Sequence, residues 1–133
     1  MMENYKITVE IPVQWRDMDA AQHVNNVVYL KWIEAARVKY FIHLNGGKLQ
    51  NLESIGPILS WQECKYIFPI TYPDTVLVGI KKIDITDDKI VTEAKVFSMA
   101  HDRLVAISTQ HTVSYDFKLR TKVPIPLNWL YND

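Results

Sequence analysis

VVYLKWIEAARVKYFIHL, residues 27–44, is the stretch on which the fold turns. It contains no Gly or Pro and is followed at once by Asn45, Gly46 and Gly47. That run stops helices, because Gly adopts the left-handed conformation favoured at a helix C-terminus. At about 3.6 residues per turn, Tyr29, Trp32, Ile33, Ala36, Tyr40 and Leu44 form one stripe. Leu30, Val38, Phe41 and Ile42 point to other sides. A helix apolar most of the way round is expected to be mostly buried, so the rest of the chain must wrap around it.

The rest reads as strands. In residues 5–15, Tyr5, Ile7, Val9, Ile11, Val13 and Trp15 alternate with Lys6, Thr8, Glu10 and Gln14, the period of a half-buried strand. Pro12 cannot donate to a ladder and marks an edge or bulge. Residues 16–26, RDMDAAQHVNN, are polar and turn-prone. Past the helix, strands are predicted over 58–68, 75–85, 90–99 and 104–115, with turns at 86–89 and 101–103. The short turns make the last three strands an antiparallel meander. In the last strand Val105, Ile107, Val113 and Tyr115 share a face opposite Ala106, Ser108, Gln110 and Ser114. The tail, with Pro124 and Pro126, reads as irregular. The expectation is an α+β fold in one domain over residues 1–133: an antiparallel sheet curled around one long, mostly buried helix.

Composition narrows the function. Lys plus Arg and Asp plus Glu are 15 each, so the formal charge is zero and the basic surplus of a nucleic-acid binder is missing. Cys64 is the sole cysteine, which rules out a disulfide within the chain. The N-terminal residues lack a basic-then-apolar leader, and no apolar run approaches the ~20 residues that span a bilayer. A soluble cytoplasmic protein, with neither nucleic acid nor membrane as partner, is expected.

Residues 15–37, WRDMDAAQHVNNVVYLKWIEAAR, resemble the signature of the 4-hydroxybenzoyl-CoA thioesterase-like branch of the hotdog superfamily. That pattern has an aromatic residue, Asp-x-Asp, two small residues, Gly, His-Val-Asn-Asn, and an aromatic-rich helix with Glu-x-Ala-Arg. Trp15, Asp17, Asp19, Ala20, Ala21, His23, Val24, Asn25, Asn26, Tyr29, Glu34, Ala36 and Arg37 fit it. Gln22 departs from it, standing where the family usually has Gly. Weaker matches follow at Pro69, Tyr72 and Asp74, at Tyr115 and Asp116, and over 120–126. The resemblance implies a hotdog fold and acyl-CoA or acyl-carrier-protein thioesterase activity without a cofactor. It also implies a homodimer or dimer of dimers, with sheets joined edge to edge and sites at the subunit boundary.

Thioester hydrolysis needs an attacking oxygen and stabilisation of the negative charge that develops on the carbonyl. The resemblance gives the first role to Asp19, as general base or as nucleophile. Free N–H groups at a helix start hold anions, so those of residues 25–27, Asn25, Asn26 and Val27, are candidates for the thioester oxygen. His23 would orient Asp19 or a water, and Asn25 would position His23 or the carbonyl. Tyr29 and Trp61 are candidates for the substrate pocket.

Each residue also has a plainer reading. An Asp before a helix is commonly a cap or turn residue, and Asp17 reads as a turn former. Asn25 and Asn26 suit turns and caps. Glu34 and Arg37, spaced i,i+3, read as a surface ion pair, with Glu34 the fallback carboxylate. Trp61 and Trp129 read as core packing, and Cys64 as a buried, inert thiol. His111, on the apolar face of the last strand, reads as a core or interface residue. His43, His101 and His111 lack metal-ligand spacing, so no metal is expected. Lys118, Arg120 and Lys122 form a basic cluster, read as a solvated tail before CoA phosphates are invoked. Two other functions compete with hydrolysis: an acyl-thioester hydratase or dehydratase, and a non-catalytic thioester-binding protein. Fold alone does not separate them.

Overall fold

The computed structural model describes residues 2–49 and 54–131. The elements are β1 (Ile7–Pro12), a 3-10 turn (Trp15–Asp17), α1 (Asn26–Leu44), β2 (Ile55–Tyr66), β3 (Thr75–Ile85), β4 (Lys89–Ser98), β5 (Arg103–Asp116), β6 (Thr121–Val123) and α2 (Leu127–Tyr131). Every strand pairing is antiparallel, in the order β1-β3-β4-β5-β2. β6 pairs with the last three residues of β5, just past Val113, which stands opposite the first residue of β4. This is the α+β hotdog arrangement that the resemblance implies, one long helix against one antiparallel sheet. Among the described residues, no helix is long and apolar enough to cross a membrane.

α1 begins one residue earlier than predicted because Asn25 is its cap. The Asn25 Oδ1 accepts the Val27 N–H at 2.9 Å, a bond that stabilises a helix start by about 1 kcal/mol. At the far end the Gly47 N–H returns to the Ile42 carbonyl at 2.9 Å with Gly47 at φ 86°, so the Asn-Gly-Gly stop works as read. The predicted stripe is buried, with Phe41 added to it. It packs against Ile7, Val76, Val78, Ile80, Ala94 and Val96 from β1, β3 and β4. Each large side chain so buried contributes about 1.5–3 kcal/mol.

The helix is not buried most of the way round. Val27 and Val38 are each 51% exposed. α1 rests mainly on β1, β3 and β4 and meets β2 only lightly, so much of its side toward β2 stays open.

The orientation of β5 also differs from the expectation placed on its apolar face. Ala94, Thr92 and Ile90 of β4 stand in register with Ser108, Gln110 and Thr112 of β5, and all six are buried. The helix side of β5 therefore carries its polar face. A hydrogen-bond chain makes this tolerable. Thr92 Oγ1 donates to Gln110 Oε1 at 2.8 Å, Gln110 Nε2 donates to Ser108 Oγ at 2.6 Å, and Ser108 Oγ donates to the Glu63 carbonyl. Each bond is worth about 1 kcal/mol net, but leaving such a buried group unpaired costs about 1–3 kcal/mol.

His111 lies on the outer face, half-buried, with its ring 4.5 Å from that of Trp61. Trp61 is 46% exposed, so it is not a core residue of the single chain.

β1 is shorter than predicted. Tyr5 and Trp15 lie outside it, and Pro12 is the last residue of what is an edge strand, where a missing donor costs least. The tail is ordered rather than irregular. Thr121, Lys122 and Val123 form β6, and Trp129 on α2 is 2% exposed, its ring 5.5 Å from Phe41. The two prolines fall between these short elements, after Val123 and before Leu127, instead of abolishing them.

Candidate active site

The segment between β1 and α1 is a tightly tied loop. Asp17 Oδ2 accepts the Gln14 N–H at 2.8 Å, which closes the 3-10 turn and makes Asp17 a turn former. Met18 and Val24 form an antiparallel bridge. The Asp19 N–H donates to the His23 carbonyl at 3.1 Å, the Gln22 N–H to the Asp19 carbonyl at 2.9 Å, and the Asn25 N–H to the Asp17 carbonyl at 2.9 Å. Val24 ties the loop to the body through the Ile70 carbonyl at 2.8 Å.

Turning the chain within so few residues needs one left-handed residue, and Gln22 supplies it at φ 62°. A left-handed conformation costs a residue with a Cβ about 1–2 kcal/mol, a cost that Gly escapes. Part of the gain from Gly is lost to its freer unfolded chain. Gln22→Gly is therefore expected to stabilise the protein by about 1 kcal/mol. Urea unfolding measures this, and a destabilised variant would mean that the Gln22 side chain contributes something the strain conceals.

Asp19 is exposed. Its Oδ1 accepts the Ala21 N–H at 2.9 Å, and its Oδ2 has no hydrogen-bond partner among the described residues. His23 does not touch Asp19. Its Nδ1 lies 2.9 Å from the Ala21 carbonyl, which can only accept, so Nδ1 donates this bond and Nε2 is left without a partner among the described residues.

At the helix start, the Asn25 N–H is taken by Asp17, the Val27 N–H by the Asn25 side chain, and the Val28 N–H by the Asn25 carbonyl. Of the three N–H groups singled out in the sequence, that of Asn26 alone lacks a partner among the described residues. Asn25 acts as the helix cap and does not reach His23.

Tyr66 joins this end of the molecule from forty residues away. Its hydroxyl donates to the Asn26 carbonyl at 3.0 Å, and its ring meets that of Tyr29 edge-on at 5.1 Å. Tyr29 is buried, which raises the pKa of its phenol. A cavity of about 260 Å3 opens here, lined by Val24, Asn26, Tyr29, Tyr66 and Phe68 among others. Burial likewise pushes the thiol of the half-buried Cys64 up, which keeps it inert.

The structure thus brings Asp19, His23, Asn25, Asn26, Val27 and Tyr29 to one end of α1, while Trp61 sits on the outer face of β2. Sequence reasoning set Tyr66 near Asp19 only as a residue of a partner chain and left Phe68 out, because nothing local to 66–68 announces that β2 ends against the start of α1 of the same chain. Glu34 lies about two turns further along α1, with its side chain 65% exposed and 3.9 Å from Arg37. Arg37 is no surface residue, since only 12% of its side chain is exposed. Burial lowers its pKa, and the charge of Glu34 opposes that shift.

A helix N-terminal N–H with no partner among the described residues can hold an oxyanion, and an exposed carboxylate on the loop before it can supply or activate an attacking oxygen. A family model described as the thioesterase-like superfamily matches residues 13–132. Among solved structures, a thioesterase from Thermus thermophilus, complexed with coenzyme A and Zn, is 25% identical with a TM-score of 0.83. That match covers 98% of this chain and 94% of the other. The PA2801 protein of Pseudomonas aeruginosa is 25% identical with a TM-score of 0.84, over 96% of this chain and 97% of its own. A 1,4-dihydroxy-2-naphthoyl-CoA thioesterase from Synechocystis, 18% identical with a TM-score of 0.81 over 95% and 93%, shares the fold. No curated protein matches the chain.

Proposed function

Because the chain belongs to the thioesterase-like superfamily, we propose that it hydrolyses an acyl-CoA thioester to a free acid and coenzyme A. What supports this reading is Asp19, whose Oδ2 has no hydrogen-bond partner among the described residues, on the loop that leads to an Asn26 N–H likewise without one at the start of α1. Asp19 either takes a proton from water as that water attacks, or attacks the carbonyl itself and forms a mixed anhydride that water then opens. In both courses a carbon–oxygen bond forms, the carbon–sulfur bond breaks and the thiolate leaves, to be protonated. The Asn26 N–H holds the oxyanion, helped by the helix dipole. His23, with Nδ1 held on Ala21, offers Nε2 to the water. Tyr66 steadies Asn26 from its carbonyl side.

The test is thiol release across a panel of acyl-CoA thioesters. Release from at least one member, with no hydration of an enoyl-CoA, supports hydrolysis. Enoyl hydration alone would move the protein to the hydratases, and tight binding without turnover would make it a carrier.

The acting form is a homodimer built on β2. This strand is twelve residues long, lies at the sheet's edge and leaves Ile58 36%, Trp61 46% and Tyr66 43% exposed. A long apolar edge of this kind invites pairing with another strand, and closed symmetry is the usual result. Joining two copies there brings the open side of α1 and the Tyr66 end of each site to the boundary. Light scattering at micromolar concentration is expected to give a multiple of the chain mass. A mass of 15.5 kDa with full turnover on dilution would show that one chain builds the whole site.

A further inference from the structure

Two tyrosines meet where β2 ends against the start of α1, and each reaches across to the other's element. Tyr29, in the first turn of α1, donates from its hydroxyl to the carbonyl of Phe68, just past β2, at 3.5 Å. Tyr66, the last residue of β2, donates to the carbonyl of Asn26, the first residue of α1, at 3.0 Å. Between the two bonds the rings meet edge-on, at 90° with centroids 5.1 Å apart, a favourable arrangement of aromatic quadrupoles.

The segment after β2 is itself firmly held. The Ile67 and Phe68 N–H groups both donate to the Val105 carbonyl of β5, at 2.8 and 3.2 Å. The Arg103 guanidinium lies 4.3 Å from the centroid of the Phe68 ring, and the His101 ring lies 4.9 Å from it. Ile70 is fully buried, and its carbonyl accepts the Val24 N–H of the Asp19 loop at 2.8 Å. The Ile70 backbone also meets the Tyr29 phenol, where it opposes the upward push of burial on the pKa. Residues 67–70 therefore hold the loop through Val24 and the helix through Tyr29, while Tyr66 ties the helix from the strand.

The Tyr66 hydroxyl adds little to burial. Tyr66 is 43% exposed, so water could replace its bond at small cost to stability. What the two bonds supply is direction. Hydrolysis needs an oxygen from Asp19 and the N–H of Asn26 placed around one carbonyl, and a misplacement of about 1 Å costs on the order of a hundredfold in rate. One bond would leave the first turn of α1 free to pivot about it. Two bonds from opposite elements, with the rings packed between them, do not.

We propose that Tyr29 and Tyr66 form a reciprocal clasp and are positioning residues for the reaction. The clasp holds the first turn of α1 in place against the Asp19 loop, and so sets where the Asn26 N–H points. This rests on the hydrolase reading above. Tyr29 borders the 260 Å3 cavity with its ring, while its hydroxyl is engaged by the backbone rather than offered to substrate.

The experiment removes one oxygen at a time. Tyr29→Phe, Tyr66→Phe and the double variant keep both rings and are compared with the parent on the best acyl-CoA. Each single variant is expected to lower kcat by about tenfold, with KM within about twofold of the parent. The double variant should be about as slow as either single one, because opening one side already frees the turn. Losses that multiply to about a hundredfold would mean two unrelated contacts and would overturn the clasp, as would an unchanged kcat or a rise in KM alone. Melting curves separate out a merely structural role: a fall in kcat that tracks the unfolded fraction at the assay temperature overturns the positioning role. Amide hydrogen exchange reads the clasp without turnover. The Val24 N–H is expected to exchange at least about fivefold faster in each variant, with the amides of β4 unmoved. Equal Val24 exchange in parent and variants overturns the proposal. Absence of turnover with every thioester would defeat the hydrolase reading and the positioning role with it, while the exchange rates still decide whether the clasp exists.

Discussion

Asp19→Asn is expected to lower kcat for the best acyl-CoA by about a thousandfold while leaving the unfolding transition nearly unmoved. The Asp19 Oδ1 accepts the Ala21 N–H, and the amide oxygen of Asn keeps that bond. The loop, tied elsewhere by Asp17, His23 and Val24 backbone groups, therefore keeps its shape. What Asn cannot do is take a proton from water or form an anhydride. Asp19→Ala loses the loop bond as well, so it should be equally inactive and also less stable. The difference between the two variants separates chemistry from scaffolding. Near-normal turnover in both would remove Asp19 from the reaction and shift attention to Glu34, where Glu34→Gln is the matching substitution. Thiol release in that event would leave the hydrolase reading intact.

The parts of the fold that were legible in the sequence are those where period and punctuation agree. α1 has a helical stripe, a cap at Asn25 and a stop at Gly46 and Gly47, and it falls within one residue of its reading. β3 matches its predicted span of 75–85 because turn residues bound it on both sides. β5 shows where period-two reasoning ends. Alternation says which residues share a face, but not which face looks inward. Hydrophobicity favours the face of Val105, Ile107 and Val113, and the structure points the other one at the helix from Ala106 on, with Val105 turned into the core at the bulge beside Val96 and Phe97. It does so because Thr92, Gln110 and Ser108 satisfy one another across two strands, a pairing that no local window contains.

The same limit governs the site. The places of Asp19, Asn25 and Asn26 at the start of α1 were legible because the loop and cap that hold them are contiguous in sequence. The contact of Tyr66 with Asn26 and the burial of Arg37 come into view only when β2 and the sheet are laid beside α1. Arg37 is the clearest instance. Its i,i+3 spacing to Glu34 describes a surface pair, and the pair does form at 3.9 Å. Yet the helix is turned so that Arg37 faces the sheet and Glu34 faces water. One residue is a solvated acid, the other a buried cation with a nitrogen unpaired among the described residues. Sequence spacing fixes their separation, and only packing decides their environments.

Trp129→Ala is expected to be the most destabilising single change outside α1, at about 3–5 kcal/mol. α2 has five residues, too few to hold a helix in water unaided. Its place depends on Trp129, which is 2% exposed with its ring tilted at 64° to Phe41. Ile125, also buried, adds a backbone bond from its N–H to the Asp87 carbonyl at 2.9 Å. Removing the indole leaves a cavity that the short tail cannot collapse to fill, and it uncovers Phe41 at the end of α1. For a chain of this size the loss should lower Tm by about 10–15 °C, and Trp129→Phe should recover a good part of it. Trp129 packs at the C-terminal end of α1, some 22 Å along the helix from Asn26 by its rise per residue. Turnover per folded molecule well below the transition should therefore stay near that of the parent. A Tm shift of only a few degrees would mean that the tail docks without contributing to stability. A large loss of activity in the folded variant would mean that this end of α1 and the Asp19 loop are coupled.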